Sequence, residues 1–436
     1  MLYASSLKND RIKEKAIGEM KMSEKSKNKK LIEKLISTIL KAVDPYEKAL
    51  EHLKKVKKPA GKVYLIAFGK SSLKMAKAAL ELFEVEKGVV VTNEEVENLR
   101  NSNVEYVKGG HPLPDENSVK AAEKAIKILK SANEDDLVIV MISGGGSALF
   151  ESPKVSLDEM KELTDSLMKA GATINELNLV RKSLSKVKGG KLPSYTHAKM
   201  ISLVMSDVVG DDLATIASGP TYPTEIEPST VLKVLKKYGV DISKSLERAV
   251  TKVDNPTRKA VKHILIATNR DACLAVKSLL ERQGYKSVYL GSSIQGEARE
   301  VAKVLGGVYT DAYARKNDFN PPVAFVSGGE STVTVKGKGM GGRNQEMSLA
   351  MVPIISGKKI TFFSFGTDGV DGRSPAAGAI VDGASLQRSF QLGLNYMDYL
   401  DRNDSYNFFK TLSDLIITGP TGTNVMDVQV AVVDEE

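Results

Sequence analysis

The chain has 436 residues, 62 Lys and Arg against 54 Asp and Glu, a formal charge of +8, 42% hydrophobic residues and one cysteine. Such a balance excludes wholesale disorder, the strand-length apolar runs exclude a membrane helix of about 18 residues, and Cys273 alone can build neither a disulfide nor a thiolate metal site. Residues 1–58 contain sixteen basic and eight acidic residues, so the other 378 are electroneutral and a fold built around nucleic acid is excluded.

Residues 1–30 mix Lys, Asn, Ser and Glu without a period and read as a mobile basic arm. They lack the apolar segment and cleavage site of a signal peptide, and their acidic residues argue against a transit peptide. A reducing cytoplasm is the expected compartment, with no membrane partner. Leu31, Ile32, Leu35, Ile36, Ile39, Leu40 and Val43 then recur at helical spacing. From Lys62, apolar runs at 62–69, 88–92, 136–143 and 199–206 alternate with amphipathic stretches at 71–84, 115–130, 156–170 and 174–187. Unalternating apolar runs separated by helices predict an α/β fold with a doubly wound parallel sheet covered on both faces. After a proline-rich loop at 220–228 and a polar connection at 253–262, a second strand series follows at 263–268, 287–290, 322–327, 331–335, 360–366 and 428–433. The expected domains are 31–250 and 251–436.

Chemistry gathers where strands end, because glycines there let backbone amides approach an anion. Gly69-Lys70-Ser71 follows the first strand; Tyr64 stands where a P-loop needs its first glycine, so the Walker pattern fails, yet Lys70 is placed to meet a phosphoryl group. Ser143-Gly144-Gly145-Gly146-Ser147 follows the third strand as a candidate anion loop. Asp207, Asp211 and Asp212, then Ser218-Gly219, follow the fourth; clustered carboxylates hold Mg²⁺ or accept a hydroxyl proton, and equally cap turns. Later, Glu330 lies in SGGEST, and Gly337 to Gly342 satisfies GxGxxG before Arg343, Asn344, Gln345 and Glu346. Thr367, Asp368 and Asp371 end another strand. No His/Cys metal spacing, GxSxG elbow or kinase HRD set is present. What remains, amides with Lys, Arg and carboxylates, is the equipment of phosphoryl transfer.

Together AFGKSS, GGHPLPDENS, SGGGSALF, NLVRKSLSKVKGGKL, SDVVGDDLATIASGPT, SGGEST, GxGMGGRNQE, FGTDGVDG and TGPTGTNVMD, spanning about residues 60–430, resemble the glycerate 2-kinase family with a C-terminal MOFRL domain. The resemblance implies a Rossmann-like first domain, a mixed-sheet MOFRL-type second domain and an active site in the cleft between them. It also implies ATP-dependent phosphorylation of D-glycerate with Mg²⁺, with Lys70 and Arg343 as the catalytic lysine and arginine. The remaining expectations are that Asp207 is catalytic, that Asp211 and Asp368 hold Mg²⁺, and that Ser143 to Ser147, Ser218, Gly219, Glu330, Asn344, Glu346, Thr367 and Asp371 bind phosphate or substrate. The partners are glycerate and nucleotide, and the chain is a monomer or homodimer. A hydroxypyruvate reductase-type oxidoreductase, for which the GxGxxG could be cited, is the alternative.

Overall fold

Strands without polar alternation need cover on both faces, and that demand sets the layering. The structure, a computed structural model, describes residues 28–96, 102–252, 260–316 and 318–435. The expected mobile arm therefore lies outside the described residues, except for 28–30, which begin a helix over 28–42. The first sheet contains β1 (Val63–Phe68), β2 (Val85–Thr92), β3 (Val104–Lys108), β4 (Leu137–Ile142), β5 (Lys199–Met205) and β6 (Val261–Ala267). Its order is β3-β2-β1-β4-β5-β6 and every pair is parallel, the doubly wound Rossmann order. The second contains β7 (Lys286–Glu297), β8 (Val323–Thr332), β9 (Ile360–Gly366), β10 (Gly378–Asp382), β11 (Leu415–Ile416) and β12 (Asp427–Val433). It runs β11-β10-β9-β12-β8-β7 and is mixed: β7 and β8 are parallel, and the other pairs antiparallel.

The two sheets share a core. Leu65, Ala67 and Met141 of the first sheet, Met75 and Val276 of intervening helices, and Val326, Phe363 and Val428 of the second sheet form one buried cluster. The 28–42 helix enters it with Ile32, Leu35 and Ile39. Asn28 Nδ2 donates to Thr361 Oγ1 of β9 at 3.0 Å, and Thr423 Oγ1, in the loop before β12, donates to the Val43 carbonyl at 2.9 Å, so this helix is tied at its start to β9 and just past its end to that loop. Helices Leu157–Lys169, Ile174–Leu184, Pro228–Lys237 and Lys244–Thr251 form a separate small core around Met160, Leu177, Val231 and Leu246. No helix among the described residues is long and apolar enough to cross a membrane.

Several predicted elements differ. The strand expected to open the second series at 263–268 is β6, paired with β5 in the first sheet, so one more strand of that sheet follows the boundary placed near residue 250. Of the polar connection expected at 253–262, residues 253–259 lie outside the described residues, and Val261 and Lys262 already belong to β6. The run at 322–327 and the start of the run at 331–335 are one strand, β8, continuous through Gly328 and Gly329 because β12 and β7 pair with it there; the strand stops at Thr332, and 333–335 are not strand. β3 is a half-exposed edge strand interrupted by Glu105 and Lys108, and β10 and β11 are short; none has the long apolar run that marks a buried strand.

Candidate active site

In an open parallel sheet the ligand crevice lies beyond the carboxyl ends of the strands where their order reverses, here between β1 and β4. Both glycine loops lie at that point and are stitched together. Lys70 N donates to the Gly144 carbonyl at 2.8 Å, and Ser71 N donates to Ser143 Oγ at 3.0 Å. Gly69 has φ of 120°, and a Cβ there would fall 2.2 Å from Ser143 Oγ, so only glycine permits the approach. Ser143 thus faces inward as a fastener, 1% exposed.

Behind the loop, Ser147 Oγ lies 2.9 Å from Ser218 Oγ. Ala217, Ser218 and Gly219 all have positive φ, a strained run held by Gly189 N on the Ser218 carbonyl and Gly190 N on the Gly219 carbonyl. The glycine loop is buttressed by a residue that the sequence reading passed over. Lys188, fully buried, donates to the Ser147 carbonyl at 2.7 Å and to the Phe150 carbonyl at 3.3 Å, and it pairs with buried Glu151. Burial lowers the Lys188 pKa, while Glu151 favours the charged form.

Asp207, after β5, lies directly on Gly144: a Cβ at Gly144 would stand 2.0 Å from Asp207 Oδ2. Burial, then the charge of Glu330, pushes the Asp207 carboxyl up to about 6 against the pull of Lys70. The second sheet supplies the opposite wall. Arg343 opens the helix Arg343–Met351; its Nε and Nη2 donate to Asp427 Oδ2 and Oδ1 at 2.6 and 3.0 Å, and its Nη1 lies 2.9 Å from Glu330 Oε1. Burial opposes the guanidinium charge, but Asp427 and Glu330 outweigh it and raise the Arg343 pKa. Lys70 Nζ is 3.9 Å from Asp368 Oδ2, which joins the two walls. Lys70 and Arg343 thus meet Asp207, Glu330, Asp368 and Asp427, four carboxylates against two cations.

Other predicted site residues point elsewhere. Asp371 is buried and accepts from the backbone N–H groups of Asn344 and Gln345 at 3.1 and 2.9 Å, serving the helix N-terminus, and Asn344 Nδ2 joins it at 3.3 Å. Glu346 is buried in an ion pair with Arg299 and accepts from Asn403. Thr367 Oγ1 donates to the Met426 carbonyl and accepts from Val425 N. Asp211 sits at a left-handed turn position, φ 57°, and the structure gives it no contact with Asp368. Asp212 accepts from Ala214 N and Thr215 Oγ1, which is a turn cap. Among the described residues no three His, Cys, Asp or Glu side chains gather as a metal cluster. Asp427, the principal partner of Arg343, ends the TGPTGTNVMD stretch; its role required knowing that β12 starts beside the 343–351 helix.

The GxGxxG serves packing. A Cβ on Gly337 would lie 2.1 Å from the Arg402 carbonyl, and one on Gly339 2.5 Å from Asp404 Cβ, so these glycines admit a neighbouring loop. The preceding strand β8 has an antiparallel neighbour, whereas a dinucleotide fingerprint belongs to a βαβ unit.

Comparison with known proteins agrees with this arrangement. A family described as a domain of unknown function, DUF4147, matches residues 31–253, and the MOFRL family matches residues 323–427. A D-glycerate 2-kinase of Thermotoga maritima is 39% identical over 93% of this chain and 98% of its own length. A glycerate 2-kinase of Pyrococcus horikoshii is 39% identical over 92% of this chain and 96% of its own. The crystal structure of a glycerate kinase from Thermotoga maritima superposes with a TM-score of 0.90 at 39% identity, covering 94% of this chain and all of that one. With the switch-point loops, the Lys70 and Arg343 walls and these full-length matches in agreement, the chain belongs to the MOFRL-type glycerate 2-kinase family.

Proposed function

We propose that this chain is an ATP-dependent kinase that phosphorylates D-glycerate at its 2-hydroxyl, yielding 2-phosphoglycerate and ADP. The observation that carries the reading is the meeting of Lys70 and the Ser143–Ser147 loop with Arg343 and its carboxylates across the switch-point cleft. Phosphoryl transfer depends on positioning and on neutralising spread negative charge. Lys70 offsets charge on the transferring group. Arg343, which uses three of its five N–H donors on Asp427 and Glu330, has the rest to offer an anionic oxygen. Asp207, titrating near 6 and ionised at neutral pH, accepts the proton of the attacking hydroxyl.

The donor set fits a hard cation that arrives with the nucleotide. Mg²⁺ takes one or two carboxylates plus substrate phosphates, and Asp368, partly exposed at the excess of carboxylates, is the residue to hold it in place of the expected Asp211 and Asp368 pair. Bound there, Mg²⁺ would offset charge on the phosphate oxygens. A cytoplasmic compartment is part of the proposal; Cys273 is buried, and burial pushes its thiol up to about 12, so it stays unreactive.

Release of ADP that depends on both D-glycerate and MgATP, followed by a pyruvate kinase and lactate dehydrogenase couple, tests the reading. NADH consumption with hydroxypyruvate alone would move the chain to the reductase class. Gly144→Ala should cost roughly 10²-fold in kcat, since it displaces Asp207 by an ångström or more while leaving Lys70 and Arg343 intact. An unchanged kcat in that variant would separate Asp207 from the chemistry.

A further inference from the structure

The motif NLVRKSLSKVKGGKL supplies Lys188 to the loop and also Arg181, which has no role in the switch-point site. Arg181 lies on helix Ile174–Leu184 and faces a cavity of about 100 Å³ that is also lined by His111, Gly145, Ser147, Glu151 and Lys161. This is well below the roughly 300–1,000 Å³ of sites for drug-sized ligands, so it suits a three-carbon acid and not a nucleotide. Among the described residues Arg181 makes no ion pair or hydrogen bond, although it is largely buried. Glu151 is 2% exposed, and its Oε1 has no partner, while its Oε2 is neutralised by Lys188. Gly145 lines this cavity and also borders Lys70: a Cβ on it would lie 3.2 Å from Lys70 Cγ and 3.1 Å from His111 Cδ2.

We infer that this cavity is the acceptor subsite, in which Arg181 binds the carboxylate of a small hydroxy acid and Glu151 Oε1 accepts a hydrogen bond from its terminal hydroxyl. The inference rests on the kinase reading and deepens it. The charge of Glu151 favours the Arg181 guanidinium without bonding it, so its unbonded donors call for an anion, whereas the buried carboxylate oxygen beside it repels a phosphate and calls for a donor. Only a ligand that carries both an anionic group and a hydroxyl satisfies the pair. With its carboxylate and terminal hydroxyl both held, glycerate leaves its 2-hydroxyl as the group free to attack, which gives the regiochemistry a structural basis. The positive charges of Arg181 and Lys161, with Glu151 already balanced by Lys188, make the cavity attractive to an acid and poor for a neutral polyol.

The test compares the unmodified protein with Arg181→Ala and Arg181→Met, the latter keeping much of the aliphatic volume in case the alanine variant folds poorly. Titration calorimetry with D-glycerate alone should show Kd raised at least about 30-fold in either variant, with the Kd for ATP unchanged. In steady state, the preference in kcat/KM for D-glycerate over glycerol, which lacks the carboxylate, should shrink by the same factor. D-lactate, which lacks the terminal hydroxyl, should bind the unmodified protein at least about 10-fold more weakly than D-glycerate. A glycerate Kd within twofold of the unmodified protein, an equal loss of ATP affinity, or an unchanged glycerate-to-glycerol preference would overturn the assignment of Arg181. D-lactate binding as tightly as D-glycerate would overturn that of Glu151. Because calorimetry reads binding without turnover, a failure of the subsite is distinguishable from a failure of the kinase reading, which the ADP assay on the unmodified protein decides.

Discussion

Lys70→Ala and Arg343→Ala are each expected to lower kcat by about 10² or more, the scale of removing a preorganised group that offsets transition-state charge. The two should differ in stability. Lys70 is about a third exposed and 3.9 Å from Asp368, a contact worth little to the fold. Arg343 is the bidentate partner of Asp427, whose side chain is 1% exposed. Removing the guanidinium strands a buried carboxylate, which costs about 3–5 kcal/mol. Arg343→Ala should therefore lose both turnover and denaturant resistance, and Lys70→Ala only turnover. Arg343→Lys keeps the charge but not the fork geometry, so most of the kcat loss should remain. Urea titration beside steady-state kinetics checks the pair, and near-normal kcat in either alanine variant removes that residue from the mechanism.

Asp207→Asn is expected to exchange activity for stability. Loss of a general base costs about 10²–10⁴-fold in kcat. The stability effect has the opposite sign. The folded protein holds the Asp207 proton more tightly than the unfolded chain, about 6 against 3.8, so folding favours the neutral acid. The contribution of this group is greatest at low pH and is lost as pH rises from about 4 through 6. At pH 7 the ionised carboxylate opposes folding, and asparagine removes that penalty. The full shift corresponds to about 3 kcal/mol at most, and loss of the attraction to Lys70 reduces it, so the variant should gain about 1–2 kcal/mol at pH 7 and little at pH 4. In the unmodified enzyme kcat/KM should rise with pH along a limb centred near 6, and the variant should lack that limb. The groups that face Asp207 are Glu330, which raises its pKa, and Lys70, which lowers it. Glu330→Gln should accordingly move the limb to lower pH.

Much of the fold is legible in the sequence because its central strands are buried on both faces and therefore written as uninterrupted apolar runs, as in VYLIAF and LVIVMI. Edge strands carry no such mark: β3 exposes half its side chains, and β6 holds Lys262 and His263. Which sheet β6 joins depends on a crossover, information that local pattern does not contain. The helix over 28–42 shows the same limit, since its apolar face is evident but the sheet it covers lies more than 300 residues away in the chain. The site divides along similar lines. Lys70 and the Ser143–Ser147 loop are legible because strand ends and glycines locate them. Asn344, Glu346 and Asp371 share the same vicinity, yet turn inward to cap and brace the 343–351 helix. Asp427, Lys188 and Glu151 escaped notice because each draws its role from a partner brought near only by folding. The neutral body of the protein is consistent with this economy: anions are attracted by a few placed cations, Lys70 and Arg343 among them.

Transfer of the phosphoryl group to the 2-hydroxyl of glycerate is decided by coupling the purified protein, MgATP and D-glycerate to enolase, with phosphoglycerate mutase left out. Phosphoenolpyruvate is expected to form without the mutase, since 2-phosphoglycerate is the direct substrate of enolase. A signal that appears only when the mutase is added would identify 3-phosphoglycerate as the product and contradict it.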